Sequence, residues 1–220
     1  MKDMFSEEDR RRIEEAVGAA ERRTSGEIVP FIVRSSDDYE VVVWKGGGMA
    51  AGLALVVTML IFHFYEGWGM AWLHTGWGTA SVTLAAGFAG GLLGAFVPPL
   101  RRVLAGRDTM TRAVHRRAMK AFVEEEVFDT EERTGILIFI SMLEHRIEVL
   151  GDAGIHEKVS PDEWADVVAR LRGGIRSGRI TDGIVDAVGM CGDLLERSGV
   201  ELRRDDANEL PDELRTHRGP

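Results

Sequence analysis

Between Lys45 and Arg101 the chain runs for 55 residues with one charged side chain, Glu66, although Asp, Glu, Lys and Arg make up 29% of the whole. Two apolar blocks lie in this stretch, Gly46 to Tyr65 and about Thr79 to Leu100. Each is close to the ~20 residues a helix needs to cross roughly 30 Å of hydrocarbon. The pattern predicts a two-helix transmembrane hairpin inserted in an otherwise charged, soluble chain. A hairpin buried in the core of a soluble protein is the alternative, and it would need more protein around it than the rest of the chain supplies. The domain reading is therefore residues 1–45 as one part of a soluble domain, 46–100 as the hairpin, 101–200 as the second part of the domain and 201–220 as an acidic, flexible tail.

Charge placement orients the hairpin. The link from Glu66 to Gly78 has no Lys or Arg, whereas the second block runs into Arg101, Arg102, Arg107, Arg112, Arg116 and Arg117, and Arg34 and Lys45 precede the first. Basic residues stay on the cytoplasmic side, so both termini are expected there. Trp68, Trp72 and Trp77 in the link, with Tyr65 beside them, fit an aromatic belt at the opposite interface. Residues 1 to 23 lack the apolar core of a signal peptide. The lone Cys191 suits a reducing compartment.

Gly48 and Gly52 in the first block, and Gly87, Gly90, Gly91 and Gly94 in the second, are spaced to let helix backbones approach closely. Glycine is also simply common in membrane helices. The same faces admit a homo-oligomer in the bilayer. His63 reads as an interfacial residue rather than a proton relay, with no intramembrane acid to partner it.

In the soluble parts, Ser6 and Asp9 resemble a capping box ahead of Ile13, Ala16, Val17 and Ala20, which predicts an amphipathic helix over about Ser6 to Arg23. Glu27 to Arg34 is apolar on both alternating faces, the pattern of a strand covered on both sides, with Pro30 suggesting an edge or a bulge. A helix follows the hairpin over about Asp108 to Val127, with Met110, Val114, Ala118 and Phe122 on one side and Arg112, Arg116, Arg117 and Lys120 on the other. With Arg101 and Arg102, the face Arg112, Arg116 and Lys120 is expected at the membrane surface against anionic lipid.

Gly135 to Ser141 reads as a central strand, paired as a hairpin with Arg146 to Leu150. Ser160, Pro161 and Glu163 open a helix whose buried stripe is Trp164, Val167, Val168, Leu171 and Ile175. A last helix over about Asp182 to Ser198 places Cys191 in the core. The two strong apolar strands lie on opposite sides of the insert and should pair, giving an α/β domain with a small helix-covered sheet.

The strings RTSGEIV (23–29), SSDDY (35–39), ERTGILIFIS (132–141), GDAGIHEKVS (151–160) and NELPDEL (208–214) resemble the TPM-domain family, in its bacterial membrane-protein branch with a hairpin after the first strand. The resemblance implies a small TPM-like α/β sandwich at a bacterial inner membrane. The wider family carries a phosphatase label, and some members bind divalent metal through acidic loops. Where secreted members carry Asp-Asn-Gly entering the central strand, this chain has Arg133, Thr134 and Gly135. Where they carry Gly-Leu-Glu after the next strand, it has Gly154, Ile155 and His156. Two ligand-type residues are thus replaced.

Asp152, His156 and Glu157 form the one residue set able in principle to ligate a divalent metal; no cofactor is expected, and a metal is the single one these residues admit. An ordinary solvated loop is the bland reading of the same residues. There is no Gly-rich phosphate loop, HExxH or GxSxG pattern, so no catalytic residue is assigned. The net charge of -9 opposes nucleic-acid binding. The favoured reading is a membrane-anchored cytoplasmic domain that binds or assembles an unidentified protein partner and is not an enzyme. A metal-dependent phosphatase and a structural, self-associating hairpin are the alternatives.

Overall fold

The computed structural model describes residues 4–64, 72–200, 202 and 209–217. Two compact units result, Met1–Asp37 with Thr111–Pro220, and Asp38–Met110.

The first unit opens with α1 (Glu7–Glu21), which starts where Ser6 and Asp9 cap each other: Asp9 N–H donates to Ser6 Oγ at 3.1 Å and Ser6 N–H to the Asp9 carboxylate at 3.0 Å. Four strands follow, β1 (Ile28–Val33), β2 (Ile136–Ser141), β3 (Arg146–Gly151) and β4 (Arg215–His217). Their order in the sheet is β3-β2-β1-β4, with β1 parallel to β2 and β4, and β3 antiparallel to β2. Ile28 stands opposite Ile136, so the two apolar runs do pair across the insertion.

Every residue of β1 and β2 is buried because helices cover both faces of the sheet. Alternation decides which face each side chain joins. Ile28 and Ile32, with Ile136, Ile138 and Ile140, meet α1, α7 (Pro161–Arg176) and α8 (Ile180–Arg197) in one cluster that includes Cys191. Val29, Phe31, Val33, Leu137 and Phe139 meet Val114, Ala118 and Ala121 of α5 (Arg107–Glu124) in a second.

Pro30 sits in a regular ladder with no bulge. Ile136 N–H donates to Glu27 O and Met142 N–H to Val33 O, so odd-numbered residues of β1 turn their backbone groups to β2. Pro30 therefore turns away from β2, on the side where β4 begins only opposite Phe31. Its missing N–H leaves no gap in the sheet.

Two expectations need correcting in this unit. Residues 209–217 are not all loose tail: Leu210 and Leu214 are buried and β4 pairs with Phe31–Val33. Their polar composition hides a strand anchored by two leucines. Arg117 does not share the exposed basic face; it is buried, with its guanidinium 5.3 Å from the Phe31 ring centroid and 3.1 Å from Glu124.

The second unit is α2 (Glu40–Phe64), α3 (Gly76–Phe96) and α4 (Pro98–Ala105). At 1.5 Å per residue α2 and α3 reach about 37 and 31 Å. Both are long and apolar enough to cross a membrane, and only 6% and 17% of their most apolar windows are buried. The second helix ends before Leu100, because Val97 leaves helical geometry and Pro98 and Pro99 start α4. Thr75 caps α3 by accepting from Gly78 N–H at 3.1 Å. Trp72 and Trp77 are exposed. Tyr65, Glu66 and Trp68 lie outside the described residues.

The glycine seam differs from the expected one by its position on α2. A Cβ built on Gly90 would lie 2.5 Å from Gly46 O, and one on Gly47 would lie 3.0 Å from Gly87 O. Gly94 approaches Val42 O and Gly91 approaches Val43 in the same way, at 3.1 and 3.5 Å. Gly48 and Gly52, however, have open space beside them. The face that α2 turns to α3 carries Gly46, Gly47, Ala50 and Ala51 instead, two small-xxx-small pairs displaced from the one first singled out.

Candidate functional site

The loop after β3 closes on the turn that leads into β2. Asp152 N–H donates to Gly135 O at 2.9 Å and Gly154 N–H to Arg133 O at 2.8 Å. Arg133 takes a left-handed backbone, φ 57°. Asp152 caps the short helix α6 (Ala153–His156), its Oδ1 accepting from Ala153 N–H at 2.7 Å. The Arg133 guanidinium holds the same carboxylate, which is only 6% exposed while the arginine is 55% exposed. The hydrogen bond to Asp152 strengthens the guanidinium's hold on its proton.

His156 and Glu157 point into solvent on the next turn. Among the described residues, no three His, Cys, Asp or Glu side chains converge as ligands. Asp152 is instead paired with the cationic Arg133. The chain spacing of 19 between Arg133 and Asp152 carries no signal of this contact.

A groove of about 540 Å³ runs along this end of the sheet, lined by Met119, Phe122, Val149, Leu150, Val159 and Trp164, with Asp152 and His156 at one end. It borders β3, the outer strand of the sheet. Since Asp152 N–H bonds Gly135 O, the alternation of an antiparallel pair turns the backbone of Ile147, Val149 and Gly151 outward. Trp164 Nε1 is buried and has no acceptor among the described residues.

At the carboxyl ends of β1 and β2, Ser36, Ser141 and Glu144 are all buried. Ser36 and Ser141 hydroxyls lie 2.7 Å apart, Ser36 N–H donates to Glu144 at 2.9 Å, and Ser141 Oγ donates to the same carboxylate. Ser35 Oγ also donates to Glu144 at 3.4 Å, and the set fixes the β2–β3 turn to the segment after β1. At the opposite end of β1, burial pushes the Glu21 carboxyl up to about 9 and raises that of Glu27 as well. The sequence carries one signal of this pair: an acid, Glu27, opens a strand that is otherwise apolar.

The basic side chains expected at the membrane are largely engaged with protein partners. Arg101 donates to Asp38 O and lies 5.4 Å from the Tyr39 ring centroid, Arg116 reaches Asp37 at 2.6 Å, and Lys120 reaches Glu124 at 3.4 Å. Arg112, Arg116 and Lys120 are exposed, whereas Arg102 is half-buried.

Helices on both faces of a mixed four-stranded sheet define an α/β sandwich. Residues 102–194 match the family model described as the TPM domain. This match covers less than half of the chain and supports a TPM domain over those residues. Its fold is similar to the NMR structure of the BA42 protein from the psychrophilic bacterium Bizionia argentinensis, with a TM-score of 0.59 and 18% identity over 97% of this chain and 95% of that one. No curated protein matches.

Proposed function

We propose that this chain is a membrane-anchored TPM domain that binds an extended segment of a protein partner on the cytoplasmic side of a bacterial inner membrane. The observation that supports it is the outward edge of β3 beside the apolar groove. A segment laid along β3 gains main-chain hydrogen bonds from Ile147, Val149 and Gly151, and its alternate side chains enter the groove. The hairpin α2–α3 supplies the anchor, and the arginines that follow it set both termini in the cytoplasm. Arg112, Arg116 and Lys120 add contact with anionic lipid.

A photo-crosslinking side chain at Met119 or His156 of the full-length protein in native membranes should capture one discrete protein, and the same probe at Glu14 should not. Equal capture at all three positions, or none at the groove, removes the reading. A reporter fused after Pro220 should be active only on the cytoplasmic side.

A further inference from the structure

We propose that Glu21 and Glu27 form a proton-dependent latch that holds the C-terminal segment Glu209–His217, and with it β4, against β1. Glu21 Oε1 accepts from Ile28 N–H at 2.8 Å, and Glu27 Oε1 accepts from Glu209 N–H at 3.0 Å. The second oxygens of both carboxylates are buried with no donor among the described residues. Glu27 is only 5% exposed. Two enclosed carboxylates whose remaining oxygens lack donors cannot both stay ionised. A single proton makes one of them the donor to the other.

The surrounding charges favour that proton. Burial raises both carboxyls most; the backbone N–H groups of Glu209 and Leu210 lower that of Glu27, Glu209 and Asp212 raise it again, and Glu27 and Asp212 raise that of Glu21. Arg22 and Asp212 approach the same point beside Gly18. Arg23 is committed to Asp193 and Glu196 of α8. Glu131 N–H donates to Glu209 at 3.3 Å. At the far end of the segment, Arg215 and His217 face Glu125, at 2.9 and 3.6 Å.

Removing the shared proton leaves Glu21, Glu27, Glu209 and Asp212 charged together. Two of these four belong to the segment held by the three residues of β4 and by Leu210 and Leu214. That segment is therefore the part that yields, and its release uncovers the Phe31–Val33 edge of β1.

The test is NMR of the full-length chain in nanodiscs, labelled at glutamate and arginine. The Glu21 carboxyl carbon should keep its protonated shift at pH 7 and titrate near pH 9, with the Glu209 amide moving at the same midpoint. Exchange of Arg34 N–H, which donates to His217 O at 3.3 Å, should accelerate at least tenfold from pH 7 to pH 10 beyond the intrinsic rise. Glu21→Gln should abolish both responses and keep exchange slow, and Glu27→Gln gives a second variant should the first not fold. Carboxyl carbons that titrate with the exposed glutamates, or an Arg34 amide indifferent to a late titration, would overturn the latch.

Discussion

The guanidinium of Arg133 lies along the carboxylate of Asp152, Nε 2.6 Å from Oδ2 and Nη2 3.1 Å from Oδ1. Both oxygens therefore already accept from a cation, and Oδ1 accepts from Ala153 N–H as well. A hard divalent cation needs several oxygens within about 2.0 to 2.6 Å, and here it would have to displace a fixed positive charge. Calcium, magnesium and manganese should bind weakly to the wild type by calorimetry, and more tightly to Arg133→Asn. No metal-dependent turnover of a phosphomonoester is expected. Micromolar binding lost in Asp152→Asn, together with turnover, would favour the phosphatase reading.

Leu137 and Phe139 are fully buried in β2, and Phe139 stacks on Phe31 at 5.7 Å. Changing either to Asp puts an unpaired charge between the sheet and α5, at a cost of roughly 3–5 kcal/mol. Limited proteolysis should then cut within residues 111–200, which the wild type protects. Undiminished resistance would mean that β2 is not central.

Gly90 has no room for a side chain and Gly48 has space beside it. Gly90→Leu should separate α2 from α3, measured as a longer distance between spin labels attached at the exposed positions Leu53 and Leu84. Gly48→Leu and Gly52→Leu should leave that distance unchanged. If they instead reduce crosslinking between copies of the chain, the outer glycine face of α2 joins two hairpins.

Arg112, Arg116 and Lys120 share an exposed face of α5. Binding to anionic headgroups should contribute about 1 kcal/mol for each charge, reduced where Arg116 and Lys120 exchange carboxylate partners for lipid. Replacing all three with Glu should raise solvent labelling of this face in anionic nanodiscs without releasing the protein from them. Identical labelling in neutral and anionic lipid counts against this contact.

Burial holds the Glu21 proton to about pH 9 in the folded protein, against an ordinary value of 4.5. Between those values unfolding releases a proton, so stability from this group is greatest at or below pH 4.5 and declines as pH rises to 9. Glu21→Gln should flatten that decline. At pH 8 the variant should gain on the order of 1–3 kcal/mol over wild type, and at pH 4 almost nothing. Denaturant unfolding at the two pH values measures the difference, and equal gains would place the raised carboxyl elsewhere.

The parts of the fold that could be read in the chain were those with local causes. The Ser6–Asp9 and Ser160–Glu163 boxes start α1 and α7 as expected, and the alternation in β1 and β2 forecasts helices on both sheet faces. Their pairing followed from the want of any other apolar partner. β4 escaped notice because its three residues are polar and its support comes from β1, nearly two hundred residues earlier. Arg117 was misplaced because helical spacing gives a face but not the Phe31 ring that accepts its charge. In the candidate site the loop was found, but Arg133 and the β3 groove depend on approach between distant segments, which periodicity does not encode.

The placement of the hairpin between β1 and β2 also sets a schedule for biogenesis. β1 leaves the ribosome with no sheet partner until Ile136 has been made, about a hundred residues later. At about 5–20 residues per second this interval lasts roughly 5–20 s, and the two apolar helices α2 and α3 emerge within it. The nascent chain must carry a naked IVPFIV segment until β2 has been made. Pro30, in the middle of that segment, cannot donate to a ladder with a neighbouring nascent chain. Pro30 thus removes one ladder donor from the unpaired segment while α2 and α3 are being made.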